Sequence, residues 1–125
     1  AAGATVPAIV ELLDVYPTLV EICGLPMPPK LEGRSLAPLL DEPGRDWPGV
    51  ARSLIAKQAP ELGGAIQGRA LRTSRYRWVE WTGTPLSAPV HELYDHEVDP
   101  AETRNIAATP AGRDVIDELR LRHGE

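Results

Sequence analysis

The sequence predicts an α+β fold, because strand-like segments occupy its middle and helical patterns occupy its two ends. Four segments have strand-like composition or alternation, at residues 51–57, 70–73, 76–81 and 90–94. A helix is expected from Pro110 to about residue 122, with Thr109 as its N-cap. The 13 prolines and 11 glycines interrupt these elements, so we expect long connections between them.

The N-terminal third of the chain has a second helical pattern. Apolar residues recur at positions 12, 15, 16, 19, 20 and 23. Because proline suits the first turn of a helix but not its interior, the regular helix is predicted to run from Pro17 to Cys23, after a 3₁₀ entry. Cys23 lies on the apolar stripe and is interpreted as a small buried hydrophobe.

The central strands differ in how they are connected. Ser74 and Arg75 form a short turn, which predicts a hairpin between residues 70–73 and 76–81. Residues 58–69 include three glycines and are predicted to form a long flexible loop. A loop of this length between strands is uncommon without a functional role.

Composition excludes several classes of protein. The lone cysteine excludes an internal disulfide, and no run of 18 apolar residues predicts a membrane span. The net charge is −5, yet residues 34–78 carry eight bases and four acids, a local balance of +4. These bases are dispersed, so nucleic-acid binding is not expected. The basic segment is either an ordinary solvated surface or a face turned toward an anionic substrate.

Residues 91–102 contain arrangements that resemble catalytic or metal motifs. A zinc helix needs histidines four positions apart, but Asp95 stands where His91 would need its partner. Asp99, Pro100 and Glu102 instead match a capping box that starts a helical turn. The chain also has no Gly-x-Ser-x-Gly elbow and no glycine-rich phosphate loop. The residues themselves therefore predict no catalytic group and no metal ligand.

Four segments resemble sequences found near the C-terminus of sulfatases, members of the alkaline-phosphatase-like superfamily. Residues 92–105 are similar to E-L-Y-D-x-x-x-D-P-x-E-x-x-N, and residues 10–25 to V-D-x-x-P-T-L-x-x-x-x-G-L. Residues 31–40 resemble L-x-G-x-S-L-x-P-L-L. Residues 69–81 resemble R-x-x-R-T-x-x-Y-R-x-x-x-W, the form typical of iduronate-2-sulfatase-like members. The chain is thereby identified as the C-terminal portion of a sulfatase.

This resemblance implies a specific architecture. Sulfatases have a large α/β domain followed by a small C-terminal subdomain, in which a four-stranded antiparallel sheet packs on a C-terminal helix. Residues 1–48 would be the last helices of the large domain and a connection, and residues 49–125 the subdomain. The chain does not begin with Met, which agrees with a piece of a longer protein.

The resemblance also implies hydrolysis of sulfate monoesters by a calcium ion and a formylglycine matured from a C/S-x-P-x-R sequence. Cys23 is followed by Gly-Leu-Pro-Met, and Ser87-Ala-Pro-Val ends at His91 instead of Arg. Neither sequence fits. Nucleophile and calcium ligands are therefore expected in a missing N-terminal domain, the partner of this chain, and the isolated chain is predicted to be inactive.

The substrate implied by the resemblance is an anionic sulfated small molecule or sugar. If residues 58–69 border the substrate cleft, Gln58, Gln67 and Arg69 are the predicted donors to it, since a guanidinium suits a sulfate or carboxylate. Two alternatives remain open at this point. The chain could belong to a related phosphodiesterase or phosphonate hydrolase, or it could be a non-catalytic interaction module.

Overall fold

The computed structural model describes residues 3–47 and 49–124 and separates into two compact units. The first extends to residue 51 and the second begins at residue 52. No helix in the described ranges has the length and apolar character needed to cross a membrane. The assignment of residues 1–48 to a larger domain stays a prediction.

The first unit contains three short helical segments. They are a 3₁₀ turn, Leu12–Asp14, and the helices α1, Val15–Ile22, and α2, Ala37–Asp41. Asp14 is buried and accepts hydrogen bonds from the backbone amides of Glu11 and Arg34, each at 2.9 Å. The Thr18 hydroxyl donates to the Asp14 carbonyl at 2.6 Å and accepts from the Leu36 amide at 2.8 Å. The two bonds from the Arg34 and Leu36 amides attach the segment before α2 to the start of α1.

The first helix begins two residues earlier than predicted, and its apolar stripe is mostly exposed. Pro17 is the third residue of α1, where its missing N–H costs nothing because the first turn has no acceptors for it. Val20 is buried, whereas Leu19 is 55% exposed and Leu12 is 89% exposed. Cys23 is also exposed, so its interpretation as a buried hydrophobe is wrong for this chain.

The second unit is a four-stranded sheet with one helix. The strands are β1, Ala51–Ala59; β2, Gly64–Arg72; β3, Tyr76–Gly83; and β4, Val90–Asp95. They lie in the order β1-β2-β3-β4, and β3 pairs antiparallel with both β2 and β4. The helix α3, Pro110–His123, follows the sheet. The predicted α+β class with a four-stranded antiparallel sheet and a C-terminal helix is confirmed.

The start of α3 agrees with the capping prediction. The Thr109 hydroxyl accepts from the Gly112 amide at 3.0 Å, and Pro110 is the first helical residue. The helix ends at Gly124 in the left-handed conformation (φ 68°), which a glycine adopts without strain. Ile116 and Leu119 are its buried apolar side chains.

The predicted loop over residues 58–69 is wrong, because β1 and β2 are longer than their compositions suggest. The connection is reduced to a 3₁₀ turn, Pro60–Leu62, and Gly63. Gly68 lies inside β2 for a packing reason. A β-carbon there would stand 2.6 Å from the ring of Trp81 on β3, so the missing side chain makes room for the indole.

Candidate functional site

The sheet has two faces that carry different chemistry. Residues paired across the strands show that Leu71, Trp78 and Leu93 share one face, and all three are buried. The guanidinium of Arg120 on α3 lies 5.3 Å from the Trp78 ring, so this side is called the helix face. Alternation places Arg77, Val79 and Trp81 on the other side, called the opposite face.

The three residues predicted to bind substrate lie on the helix face. Gln67 and Arg69 alternate with Leu71 on β2 and are in register with Thr82 and Glu80 respectively. On β1, Arg52 donates to the carbonyl of His123 in α3 at 3.1 Å, and alternation puts Gln58 on the same side as Arg52. Their side chains belong to strands and not to a loop. Gln58 and Arg69 are exposed, and Gln67 is half-buried. Their role in binding stays a prediction.

The helix face also contains a small charged cluster. Arg120 Nη2 donates to Glu80 Oε2 at 2.7 Å. Trp78 Nε1 donates to His91 Nδ1 at 3.4 Å, and the same His91 nitrogen lies 3.9 Å from Glu80 Oε2.

A cavity of about 260 Å³ opens beside this cluster. Its lining residues are His91, Ala107, Arg113, Ile116, Asp117 and Arg120. Both arginines already have acceptors, since Arg113 donates to the Ala108 carbonyl at 2.7 Å and Arg120 binds Glu80. The charge of Arg120 is paired with that of Glu80, whereas Arg113 donates only to a neutral carbonyl and keeps its charge beside the cavity.

The opposite face carries a continuous network of aromatic and charged side chains, called here the opposite-face network. Its members are Trp81, Glu92, Tyr94, Arg77, Glu102 and His96. Trp81 Nε1 donates to Glu92 Oε1 at 2.8 Å, and the Tyr94 hydroxyl donates to Glu92 Oε2 at 3.1 Å. One carboxylate therefore joins two rings on neighbouring strands.

The second half of this network is a triad of side chains, in which Glu102 contacts both Arg77 and His96. Arg77 donates from Nε to Glu102 Oε1 at 2.6 Å and from Nη2 to Glu102 Oε2. His96 Nε2 lies 2.6 Å from Glu102 Oε1, and Arg77 stacks 4.9 Å from the Tyr94 ring. The hydrogen bonds from Arg77 lower the pKa of the Glu102 carboxyl, while burial raises the pKa of the Tyr94 hydroxyl. At neutral pH Glu102 is an ionised acceptor and Tyr94 a neutral donor.

Glu102 adopts a conformation that the capping prediction did not foresee. Its backbone is left-handed, with φ at 55°, and its side chain turns to Arg77 instead of the Asp99 amide. Asp99 accepts from the Thr103 hydroxyl at 3.0 Å and from the Arg104 amide at 2.8 Å. The predicted capping box is therefore wrong. The charge of Arg77, 25 residues away in sequence, is the stronger partner for Glu102.

Asp95, the last residue of β4, takes part in both a turn and an ion pair. Its Oδ1 accepts from the Glu97 amide at 3.1 Å, as expected for a turn. It also binds the guanidinium of Arg75, and these hydrogen bonds lower the pKa of its carboxyl. No local spacing signals this pair, because the two residues are 20 positions apart.

The described residues provide no arrangement that fits the calcium ion or the nucleophile of a sulfatase. Within residues 3–47 and 49–124, no three side chains of His, Cys, Asp or Glu stand close enough together to hold a metal ion. The hydroxyl in the opposite-face network, that of Tyr94, donates to Glu92. The charged residues on the opposite face of the sheet are bound to one another across β3, β4 and the segment that follows β4.

Comparison with known proteins gives a consistent result. A family model described as "N-sulphoglucosamine sulphohydrolase, C-terminal" matches residues 1–124. Human arylsulfatase K is 31% identical over 109 residues, which cover 85% of this chain and 20% of that protein. The delta 4,5-hexuronate-2-O-sulfatase of Bacteroides thetaiotaomicron is 30% identical over 110 residues, or 86% of this chain and 21% of that protein.

A solved structure extends the likeness to three dimensions. The structure of a 2-O GAG sulfatase superposes with a TM-score of 0.64 at 28% identity, covering 87% of this chain and 22% of that one. The chain thus spans about a fifth of the length of the relatives it matches.

Proposed function

Because the chain belongs to the sulfatase family whose C-terminal region the matched model describes, we propose that it forms the C-terminal part of a sulfuric ester hydrolase. The match over residues 1–124 is the observation that carries this proposal. Identities near 30% to two sulfatases over most of the chain support it.

We propose that the chemistry resides in an upstream polypeptide, the part of the relatives that precedes the region matched here. A formylglycine hydrate there would attack sulfur, and a calcium ion there would neutralise the sulfate. The residues described in this chain do not fit the calcium ion, since no three of their His, Cys, Asp or Glu side chains could hold a metal. On this proposal the chain completes the fold, and by itself it is inactive.

Exposed apolar side chains in the first unit support the proposal that an upstream polypeptide packs on it. Leu12, Leu19 and Ile22 are 89%, 55% and 58% exposed, which is unusual for large apolar side chains along one short stretch. Contiguous exposed apolar surface is typical of an interface. We propose that residues 1–48 are the last helices of the large domain and pack against the upstream polypeptide.

The substrate proposed for the complete protein is a sulfated sugar. Two relatives are named for 2-O-sulfated sugars, a hexuronate and a GAG. Gln58, Gln67 and Arg69 are proposed to contact it from the rim of the cleft. Their common sheet face and the exposure of Gln58 and Arg69 support this role. Because β1 and β2 occupy the predicted long loop, loop length gives no support to this role.

The test is a substrate panel for the complete protein with its matured nucleophile. Sulfate release is measured from a 2-O-sulfated hexuronate disaccharide and from an aryl sulfate, and phenol release from an aryl phosphodiester. The proposal expects sulfate release from both sulfate esters, faster for the sugar. Hydrolysis of the phosphodiester alone would assign the protein to the phosphodiesterase branch of the superfamily.

A further inference from the structure

The cavity beside α3 has walls that the fold holds in place. Four of its lining residues recur every three or four positions and therefore lie on one side of α3: Arg113, Ile116, Asp117 and Arg120. The others are His91 on β4 and Ala107, in the segment that joins β4 to α3. The Asn105 side chain accepts from the Leu93 amide at 3.0 Å and donates to the His91 carbonyl at 3.2 Å, which fastens this segment to β4. Preorganised walls lower the entropy cost of binding a ligand.

The lining combines apolar side chains with charges of both signs. Ala107 and Ile116 are buried. Arg113 and Asp117 are exposed and carry opposite charges, while the charge of Arg120 is already paired with that of Glu80. The one remaining positive charge is thus matched by one negative charge. Such a lining does not select a simple anion, but it offers a strong donor and a strong acceptor beside an apolar surface.

Arg113 and Asp117 have hydrogen-bonding capacity that the described residues do not use. Arg113 Nη1 donates to the Ala108 carbonyl at 2.7 Å, which leaves the other guanidinium N–H groups available. The Asp117 carboxylate lies 3.9 Å from Arg120, too far for a hydrogen bond. Opposite charges four positions apart on a helix can pair, yet in the described part of the chain these two bind other groups instead of each other. Donor and acceptor are therefore both available at the cavity.

The size of the cavity limits its ligand to a small ring. Its volume of about 260 Å³ is what roughly nine molecules of liquid water occupy, and it is smaller than the pockets of drug-sized ligands. A sugar ring suits both this size and this lining. One of its hydroxyls can accept from Arg113 while the next donates to Asp117, and its C–H groups can pack on Ala107 and Ile116.

We propose that this cavity is a subsite for one sugar ring of a glycan, whose hydroxyls are bound by Arg113 and Asp117. The inference rests on the proposed function, because it takes the ligand to be part of a sulfated sugar chain. Arg69 is in register with Glu80, and Glu80 with His91, so two strand spacings, roughly 10 Å, separate Arg69 from the cavity wall. The ring in the cavity is therefore a neighbour of the sugar whose sulfate lies at Arg69, and not that sugar itself.

The test is calorimetric titration of the complete protein with a hexuronate-containing tetrasaccharide that carries no sulfate, so that binding is measured without turnover. Arg113→Ala and Asp117→Ala should each weaken binding about tenfold, the loss of one hydrogen bond to a charged group. Asp114→Ala is the matched control, since Asp114 is an exposed acid of the same helix that does not line the cavity. Its affinity should equal that of the wild type.

The sign of the two effects separates direct contact from long-range attraction. The tetrasaccharide is an anion, so attraction by charge alone would make Arg113→Ala bind it more weakly and Asp117→Ala more tightly. Hydrogen bonding to hydroxyls predicts weaker binding by both variants. Unchanged or tighter binding by Asp117→Ala overturns the inference. So does the absence of measurable binding by the wild type.

Two further measurements keep the result unambiguous. Both side chains are exposed, so the unfolding midpoints of the variants should match that of the wild type. If Arg113→Ala does not fold, the sign of the change in Asp117→Ala decides alone. Sulfate release from an aryl sulfate and from a 2-O-sulfated hexuronate disaccharide is measured in parallel. Weaker binding by both variants without sulfate release from either ester contradicts the proposed function and leaves the subsite standing, whereas sulfate release with unchanged binding contradicts the subsite alone.

Discussion

The guanidinium of Arg75 binds both carboxylate oxygens of Asp95, with Nε 3.0 Å from Oδ1 and Nη2 2.7 Å from Oδ2. Arg75 lies in the turn between β2 and β3, and Asp95 is the last residue of β4. The Arg75 carbonyl also accepts from the His96 amide at 2.8 Å. The pair therefore fastens the hairpin turn to the end of the neighbouring strand.

We predict that Asp95→Asn lowers the unfolding midpoint, because it removes the charge from a nearly buried carboxylate that Arg75 binds in bidentate fashion. Thermal unfolding measures this effect. Asp117→Asn is the control, since Asp117 is 72% exposed and lies 3.9 Å from Arg120. Exposed pairs of that kind contribute little. Equal midpoints for the two variants would show that the Asp95 pair does not stabilise the sheet.

We predict that the protein loses stability in acid through Asp95 and Glu102. Hydrogen bonds from Arg75 and Arg77 lower the pKa of these two carboxyls in the folded state. A lowered folded-state pKa gives stability that is present above the unfolded-state value of about 4 and lost as pH falls through the folded-state pKa. Unfolding midpoints between pH 2 and 7 measure this loss. Glu102→Gln should flatten the curve, and an unchanged slope in that variant would contradict the assignment.

We predict that Glu102→Gly is more stable than Glu102→Ala. Both variants lose the contacts with Arg77 and His96. Only alanine retains the cost of the left-handed backbone at φ 55°, which is roughly 1 kcal/mol. Denaturant unfolding of the two variants gives the difference directly. If the alanine variant is the more stable, the left-handed backbone at position 102 does not carry the expected cost.

We predict that Arg69→Ala raises KM for a sulfated sugar about tenfold, the cost of losing one hydrogen bond to a charged group. An aryl sulfate should be nearly unaffected, because it does not extend to the rim of the cleft. Steady-state kinetics of the complete protein measure both, with Arg122→Ala as an exposed control that loses only its contact with Glu118. Equal changes for the two substrates would remove Arg69 from the site.

The sequence predicted the elements better than their contacts. The composition of residues 76–81 correctly predicted the strand β3, and Thr109 and Pro110 marked the start of α3. Both are local signals that depend on neighbouring residues alone. The loop prediction was wrong at Gly68 because this glycine is required by packing against the Trp81 ring on another strand and not by a turn.

The charged contacts were not predictable for a related reason. Spacing in the sequence suggested that Glu102 turns back to Asp99, whereas a distant arginine binds it in the structure. The burial of Arg72 Nη1 was not predictable either, because no neighbouring residue in the sequence distinguishes Arg72 from the exposed Arg69. The residues proposed at the rim of the cleft were chosen from a predicted loop but in fact lie in β1 and β2, so their common face and the exposure of Gln58 and Arg69 are what now supports them.

The central claim is that this chain completes a sulfatase without supplying its chemistry. Sulfate release from an aryl sulfate, compared at equal molar concentration for the complete protein and for the purified 125-residue chain, tests it most directly. We expect release by the complete protein and no release above background by the chain alone. Release at a comparable rate by the isolated chain would contradict the account, because the described residues would then contain a catalytic centre.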